Sequence, residues 1–342
     1  MKLLAVTGAV LGLLAIGGCA HAPAGSGAPK AAGEAAAVAS GATVEKLRAD
    51  ARAAAAVCRA PWVQRFLAAT AELPPIAPRV LYRDAGKTRF FGEAEAAALP
   101  AAQRRALVRV PVDEELYYTT RYGSPIAYCR ALELFGVDGV DGKKLLDFGY
   151  GTIGHLRLLA TLGAHVTGVD VDPLLPALYG APGDRGAIGA GSIALVNGFF
   201  PRDPQVRAAV GGGYDLIVSK NTLKEGYVHP RKRDPRFDIG VDDATLLGAF
   251  FDALAPGGRM LIYNLSPAPN GPGRPYRAWA DGRTPFARAQ FEAAGFRVLD
   301  YERDDTETAR ALGRALGWDR EDPPMDLASD LFGVYTLVEK PR

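Results

Sequence analysis

The chain has 342 residues, 48% of them hydrophobic and 23% charged, with a formal net charge of +2 at pH 7. That length accommodates one large domain or two modest ones, either able to bury a full core. The near-balanced charge carries no signal for an acidic or basic partner, and the concentrated basic excess expected with a nucleic-acid substrate is missing.

The opening segment, MKLLAVTGAVLGLLAIGGCAH, has one positive charge at Lys2, an apolar run from Leu3 to Ile16, and then Gly17-Gly18-Cys19. The run is short for a bilayer-spanning helix and fits a signal segment. Small residues before a cysteine at this place resemble the lipobox of bacterial lipoproteins. The resemblance implies a signal peptide over 1–18, a diacylglycerol on Cys19 and attachment to a membrane. Ala20 is not acidic, which implies the periplasmic face of the outer membrane. A plain secretory signal, or a cytoplasmic product from a different start codon, is the alternative. Residues 19–42 have the composition of a flexible tether, spanning roughly 25–30 Å.

From Val44 to Leu73 apolar residues recur at helical spacing, interrupted by Pro61. Val80–Asp84 and Thr88–Phe91 flank Ala85-Gly86-Lys87 as a short hairpin. Ser124-Pro125 is an N-cap followed by a first-turn proline, and it opens a helix ending at Leu134. Residues 43–142 therefore read as a mainly helical N-terminal region. Cys58 and Cys129 fall within it, either paired or as two buried thiols.

Residues 143–342 alternate between strands and helices. Strands are expected at Lys144–Phe148, His165–Asp170, Ile193–Val196, Tyr214–Ser219, Arg259–Asn264, Arg297–Tyr301 and Gly333–Glu339. Helices are expected at Ile153–Leu162, Asp242–Leu254 and Pro285–Ala294. The alternation predicts a mostly parallel, doubly wound sheet. Between the first strand and helix lies GYGTIG, Gly149 to Gly154, with the spacing G-x-G-x-x-G. Glycines there let the backbone approach a ligand and adopt positive φ. Asp170 ends the next strand, where a carboxylate can accept both ribose hydroxyls of an adenosine. Nicotinamide and other adenosine cofactors share that device, whereas Asp147, two residues before Gly149, is unusual for a dinucleotide loop.

LLDFGYGTIGHLRLLA, VTGVDVDP, YDLIVSKNTL and ALAPGGRMLIYN, in that order, resemble the successive motifs of class I S-adenosylmethionine-dependent methyltransferases over residues 143–340. The resemblance implies a Rossmann-like fold with a C-terminal antiparallel strand and S-adenosyl-L-methionine as cofactor. It places Asp147 near the methionine amino group, Gly149, Gly151 and Gly154 in the glycine loop, and Asp170 on the ribose. The N-terminal region would cap that site. Arg121, in YYTTRYGSP, either pairs with the methionine carboxylate or belongs to an exposed, aromatic-packed helix. Asn197 stands where the family often has an acid facing adenine, and it or the backbone would accept the adenine amino group. Ser219-Lys220-Asn221-Thr222 departs from the Asn/Asp-Pro-Pro-aromatic motif of amino methylation of nucleic acids or proteins.

In an open α/β sheet the ligand lies beyond the carboxyl ends of the strands. This directs the search for catalytic groups to Ser219–Arg233 and to Tyr263-Asn264. Ser219 joins the cofactor set; Lys220 would hold a small, anionic substrate, with Tyr227 or His229 assisting deprotonation. Alternatively His229 is a loop histidine, and Lys224, Arg231, Lys232 and Arg233 are a solvated basic face resting on anionic lipid. Three functions remain open: a methyltransferase acting on oxygen or nitrogen of a small molecule, a non-catalytic adenosine-binding module of the same fold, and a nicotinamide-dependent oxidoreductase. The cofactor is made in the cytosol, so the lipobox and the glycine loop point to different compartments.

Overall fold

A computed structural model describes residues 41–119, 123–229, 238–270 and 275–342. The signal segment, Cys19, the tether up to residue 40, Arg121 and Arg231-Lys232-Arg233 lie outside the described residues. The N-terminal region begins with α1 (Ala42–Ala54) and α2 (Pro61–Ala68), the latter opened by its first-turn proline. Val44, Leu47 and Ala51 bury one face of α1, and Trp62, Val63, Phe66 and Leu67 that of α2. The expected hairpin is β1 (Arg79–Arg83) with β2 (Phe90–Phe91). After α3 (Glu93–Ala98) and α4 (Ala101–Arg105), β3 (Val108–Val112) adds an antiparallel strand to β1. A three-stranded sheet thus stands in a region expected to be mainly helical. Pro111 disguises β3, because proline in a strand is tolerated at a sheet edge. α5 (Glu114–Tyr118) follows. Ser124 accepts from the Ile126 N–H at 3.3 Å to open a 3-10 turn, and α6 (Tyr128–Leu134) continues it to the expected end.

The remaining chain runs β4 (Lys144–Phe148), α7 (Gly154–Thr161), β5 (His165–Asp170), α8 (Leu174–Leu178), β6 (Gly186–Ile188) and β7 (Gly191–Asn197). Next come α9 (Pro204–Val210), β8 (Tyr214–Lys220), α10 (Glu225–Val228), α11 (Asp243–Ala253) and β9 (Leu254–Ser266). α12 (Arg288–Ala293), β10 (Arg297–Asp304), α13 (Thr306–Leu316), α14 (Leu327–Asp330) and β11 (Phe332–Glu339) complete it. The sheet order is β10-β11-β9-β8-β4-β5-β7-β6. β7, β5, β4, β8 and β9 are parallel, and β11 lies antiparallel between β9 and β10. This is the Rossmann-like class I methyltransferase fold, with β6 as an added antiparallel edge. β9 starts earlier than expected and carries the Pro-Gly-Gly segment inside it, where its register with β8 shifts between Tyr214 and Leu216.

Alternate strand residues serve opposite faces, as the two-residue period requires. Leu145, Leu216, Val218 and Leu261 pack into one core with α1, α2, α6 and α7. Leu146, Ile217, Met260 and Ile262 pack into a second with Val206, Leu247, Phe250 and Phe291. The N-terminal helices therefore share a core with the sheet. At the contact, a Cβ on Gly154 would lie 2.8 Å from the Pro125 ring and 3.0 Å from the Tyr118 carbonyl oxygen. Alanine for glycine in a helix ordinarily gains about 0.5–1 kcal/mol. Here Gly154→Ala is expected to cost about 1–3 kcal/mol through overpacking. Urea unfolding should show a lower midpoint at unchanged slope; a raised midpoint would contradict the close contact.

Candidate functional site

The β4–α7 turn adopts positive φ at Gly149 (80°) and Gly151 (56°), a conformation that glycine takes without steric penalty. Gly149 is also crowded: a Cβ would lie 2.1 Å from Thr222 Oγ1, and that hydroxyl donates to the Gly149 carbonyl at 3.4 Å. The Gly151 N–H donates to Asp170 Oδ2 at 3.0 Å, and the Asp172 N–H to Asp170 Oδ1 at 2.9 Å. Asp170 thereby lies along the loop, and burial pushes its pKa up to about 6 despite those two donors. Asn197, at the end of β7, donates Nδ2 to the carbonyls of Asp170 and Asp172, each at 3.0 Å. That brace fixes the amide and leaves Oδ1 as its acceptor. Gly154 instead faces Pro125 and Tyr118, so its role in the structure is packing.

Beneath the loop a second group of residues converges. Asp147 and His155 are both fully buried, with Asp147 Oδ2 hydrogen-bonded to His155 Nε2. The imidazole stacks on Tyr128, ring centroids 3.5 Å apart at 9°. Lys220, nearly buried at the end of β8, holds its Nζ 5.2 Å from the Tyr128 centroid. Burial depresses the His155 pKa more than Asp147 raises it, and the Lys220 charge lowers it further. The ring is therefore neutral at pH 7, donating Nε2–H to the carboxylate. Asp147 Oδ1 and His155 Nδ1 are buried with no hydrogen-bond partner among the described residues. Burial, reinforced by Asp147, pushes the Tyr128 phenol well above its ordinary range.

Other expected site residues serve as braces. Ser219 is fully buried and its Oγ accepts from the Leu223 N–H at 3.2 Å, tightening the turn after β8. Tyr263 donates its hydroxyl to Asp305 Oδ2 at 3.1 Å, and Asn264 donates Nδ2 to the Leu223 carbonyl at 2.8 Å. Tyr227, on α10, is half-buried with the Lys224 Nζ 5.4 Å from its ring centroid. Lys224 is itself buried, donating to the Leu265 carbonyl at 2.7 Å, and so is not part of a solvated basic face. His229 is exposed, with Nδ1 3.2 Å from Glu225 Oε2 and Nε2 2.9 Å from Asp243 Oδ1. Partial burial works to lower its pKa, but the two carboxylates outweigh it and raise the value. An imidazolium donating from both nitrogens has no lone pair with which to act as a base. It borders a cavity of about 520 Å³ lined also by Val228, Asp238, Ile239 and Gln290.

The structure thus brings Asp147 and Lys220 together, and Gly149, Gly151, Asp170 and Asn197 around the turn. Sequence reasoning missed His155 and Tyr128. The available signal was a histidine directly after the glycine motif, at the start of the mainly apolar stretch HLRLLA.

No family model matches the chain, and no curated protein matches it. Solved structures similar to it include an S-adenosylmethionine-dependent methyltransferase from Mesorhizobium loti (17% identity, 62% of this chain, 97% of that one, TM-score 0.38). Another is phosphoethanolamine N-methyltransferase 2 of Haemonchus contortus, complexed with phosphomonomethylethanolamine and S-adenosylhomocysteine (15%, 78%, 69%, TM-score 0.38). A third is the arsenic(III) S-adenosylmethionine methyltransferase of Chlamydomonas reinhardtii (20%, 59%, 64%, TM-score 0.34). The fold assignment rests on strand order and direction.

The histidine environments make a direct prediction, and with four histidines in the chain the ring NMR spectrum is tractable. His229 should titrate above the ordinary 6.5 and His155 below it. The His229 ion pairs stabilise the fold below about pH 6.5 and lose effect as pH rises through its raised pKa. The neutral His155 arrangement is intact above about pH 6.5 and weakens as pH falls toward its depressed pKa. A His155 resonance titrating above 6.5 would contradict the neutral assignment.

Proposed function

We propose that the protein is an S-adenosylmethionine-dependent methyltransferase acting on oxygen or nitrogen of a small, anionic molecule. The observation that carries this reading is the pair of carboxylates flanking the glycine turn, Asp147 with one oxygen lacking a donor and Asp170 aligned along the loop. These residues fit the cofactor. A carboxylate offers about four acceptor sites. Asp170 gives two to backbone amides, and the remaining two suit the ribose hydroxyls. Asp147 Oδ1 is the acceptor for the methionine ammonium, and Asn197 Oδ1 for the adenine amino group. Arg121, outside the described residues, is assigned to the methionine carboxylate.

The bound sulfonium supplies a methyl group that is already activated for transfer. The chain must hold the acceptor in line and, where needed, take its proton. Lys220, at the carboxyl end of β8, is assigned to the anionic group of the substrate, and Tyr227 to the acceptor side. His229 is withdrawn from the catalytic set, because its carboxylate partners hold both nitrogens. That same observation favours a second reading, an adenosine-ligand-binding module without turnover. Methyl transfer to a panel of small anionic acceptors separates the two.

Cys19 is proposed to carry the lipid that holds the protein to the periplasmic face of the outer membrane. No helix among the described residues is long and apolar enough to cross a membrane. Cys19→Ser should release the protein from the membrane fraction or leave its leader uncleaved. An unprocessed cytosolic wild-type product would overturn the anchor.

Asp170→Ala removes the acceptor of two hydroxyls and should weaken cofactor binding by roughly 1.5–3 kcal/mol, or about 10–150-fold. Wild-type affinity should be flat well above pH 6 and fall as pH drops through about 6, where Asp170 gains a proton and loses acceptor strength. Calorimetric titration across pH checks both. Equal affinity in Asp170→Ala, or affinity indifferent to pH around 6, would remove the ribose assignment.

A further inference from the structure

Cys58 and Cys129 lie 71 positions apart in the chain, yet their sulfurs meet at 2.9 Å. That is about 1 Å longer than the roughly 2.05 Å of a disulfide bond. Both side chains are fully buried as thiols. The backbone around the pair is clamped on both sides. Glu133 of α6 accepts from the N–H groups of Arg59 and Ala60 at 2.6 and 2.8 Å. Gln64 of α2 donates to the carbonyl of Cys58 and, at 2.9 Å, to that of Ala55. The two sulfurs are thus held together by contacts that do not depend on a bond between them.

We propose that Cys58 and Cys129 are a disulfide site, closed when the chain folds in an oxidising compartment. The oxidant is a disulfide donor, protein or small molecule. A thiolate of one cysteine attacks the donor disulfide, forming a mixed disulfide and releasing the first donor thiolate. The second cysteine, deprotonated, attacks that mixed disulfide at the protein sulfur and expels the second donor thiolate. The protein loses two protons and two electrons, and the donor disulfide becomes two thiols. Timing follows from burial: a donor cannot reach sulfurs with no exposed surface, so exchange precedes docking of α1 and α2. Burial also raises the Cys129 pKa, which slows exchange in the folded dithiol. Once closed, the bond is sealed from reductants by the same packing. It ties the α1–α2 segment to α6, next to Tyr128, whose ring stacks on His155.

The test is peptide mapping of the full chain, alkylated under denaturing conditions without reductant, after production with its leader through an oxidising compartment and, separately, in a reducing cytosol. The expected result is a linked Cys58–Cys129 peptide in the first preparation and two alkylated cysteines in the second. Mapping keeps Cys19 out of the count. The linked form should melt roughly 5–10 °C above the dithiol form. A Cys58→Ala/Cys129→Ala double variant should melt alike from both sources. Alkylated Cys58 and Cys129 in the protein from the oxidising compartment would overturn the proposal, as would a mixed population that oxidised glutathione during refolding fails to convert.

Discussion

A carboxylate placed in the interior must be compensated, because burying an unpaired charge costs several kcal/mol. Asp147 is such a group, at the end of β4 where the chain turns into the glycine loop. Its compensation comes from two helices: His155 from the first turn of α7 and, behind it, Tyr128 from the start of α6. To bring both rings to one point, α6 must lie across the sheet end and the N-terminal helices must dock with it. The shared core of α1, α2, α6, α7 and one sheet face is the packing consequence. The loop geometry depends on that support.

This explains why two polar groups can sit so close. Below the turn, Asp147 and His155 are buried together and the histidine is kept neutral by burial. Along the turn, Asp170 is held by two backbone amides and retains acceptor capacity beyond them. The two carboxylates thus border one turn from the ends of adjacent strands, each with acceptor capacity that the protein itself leaves unused. Asn197 ties the end of β5 to that of β7, so that these strands move together.

Strands β4 and β5 were legible to the residue, because short apolar runs there are bounded by glycine turns. β3 was hidden by Pro111, and α13 by an alanine- and arginine-rich stretch whose apolar face, Ala309, Leu312 and Leu316, is visible only against β11. The glycine loop and Asp170 announced themselves by spacing. His155 did not, because sequence shows a histidine on an apolar helix without showing the buried acid that it meets. His229 misled for a related reason: its partners are Glu225, at the start of the helix that His229 caps, and Asp243 at the start of α11, and together they convert a candidate base into an ion-paired brace.

The central claim is that this turn, flanked by Asp147 and Asp170, holds an adenosine sulfonium and not a dinucleotide. Calorimetric titration of the purified full-length protein with S-adenosylmethionine, S-adenosylhomocysteine and NAD tests it most directly. The account predicts saturable one-site binding of the first two and much weaker or no binding of NAD. Tighter binding of NAD, or no heat with either sulfur ligand, would contradict it.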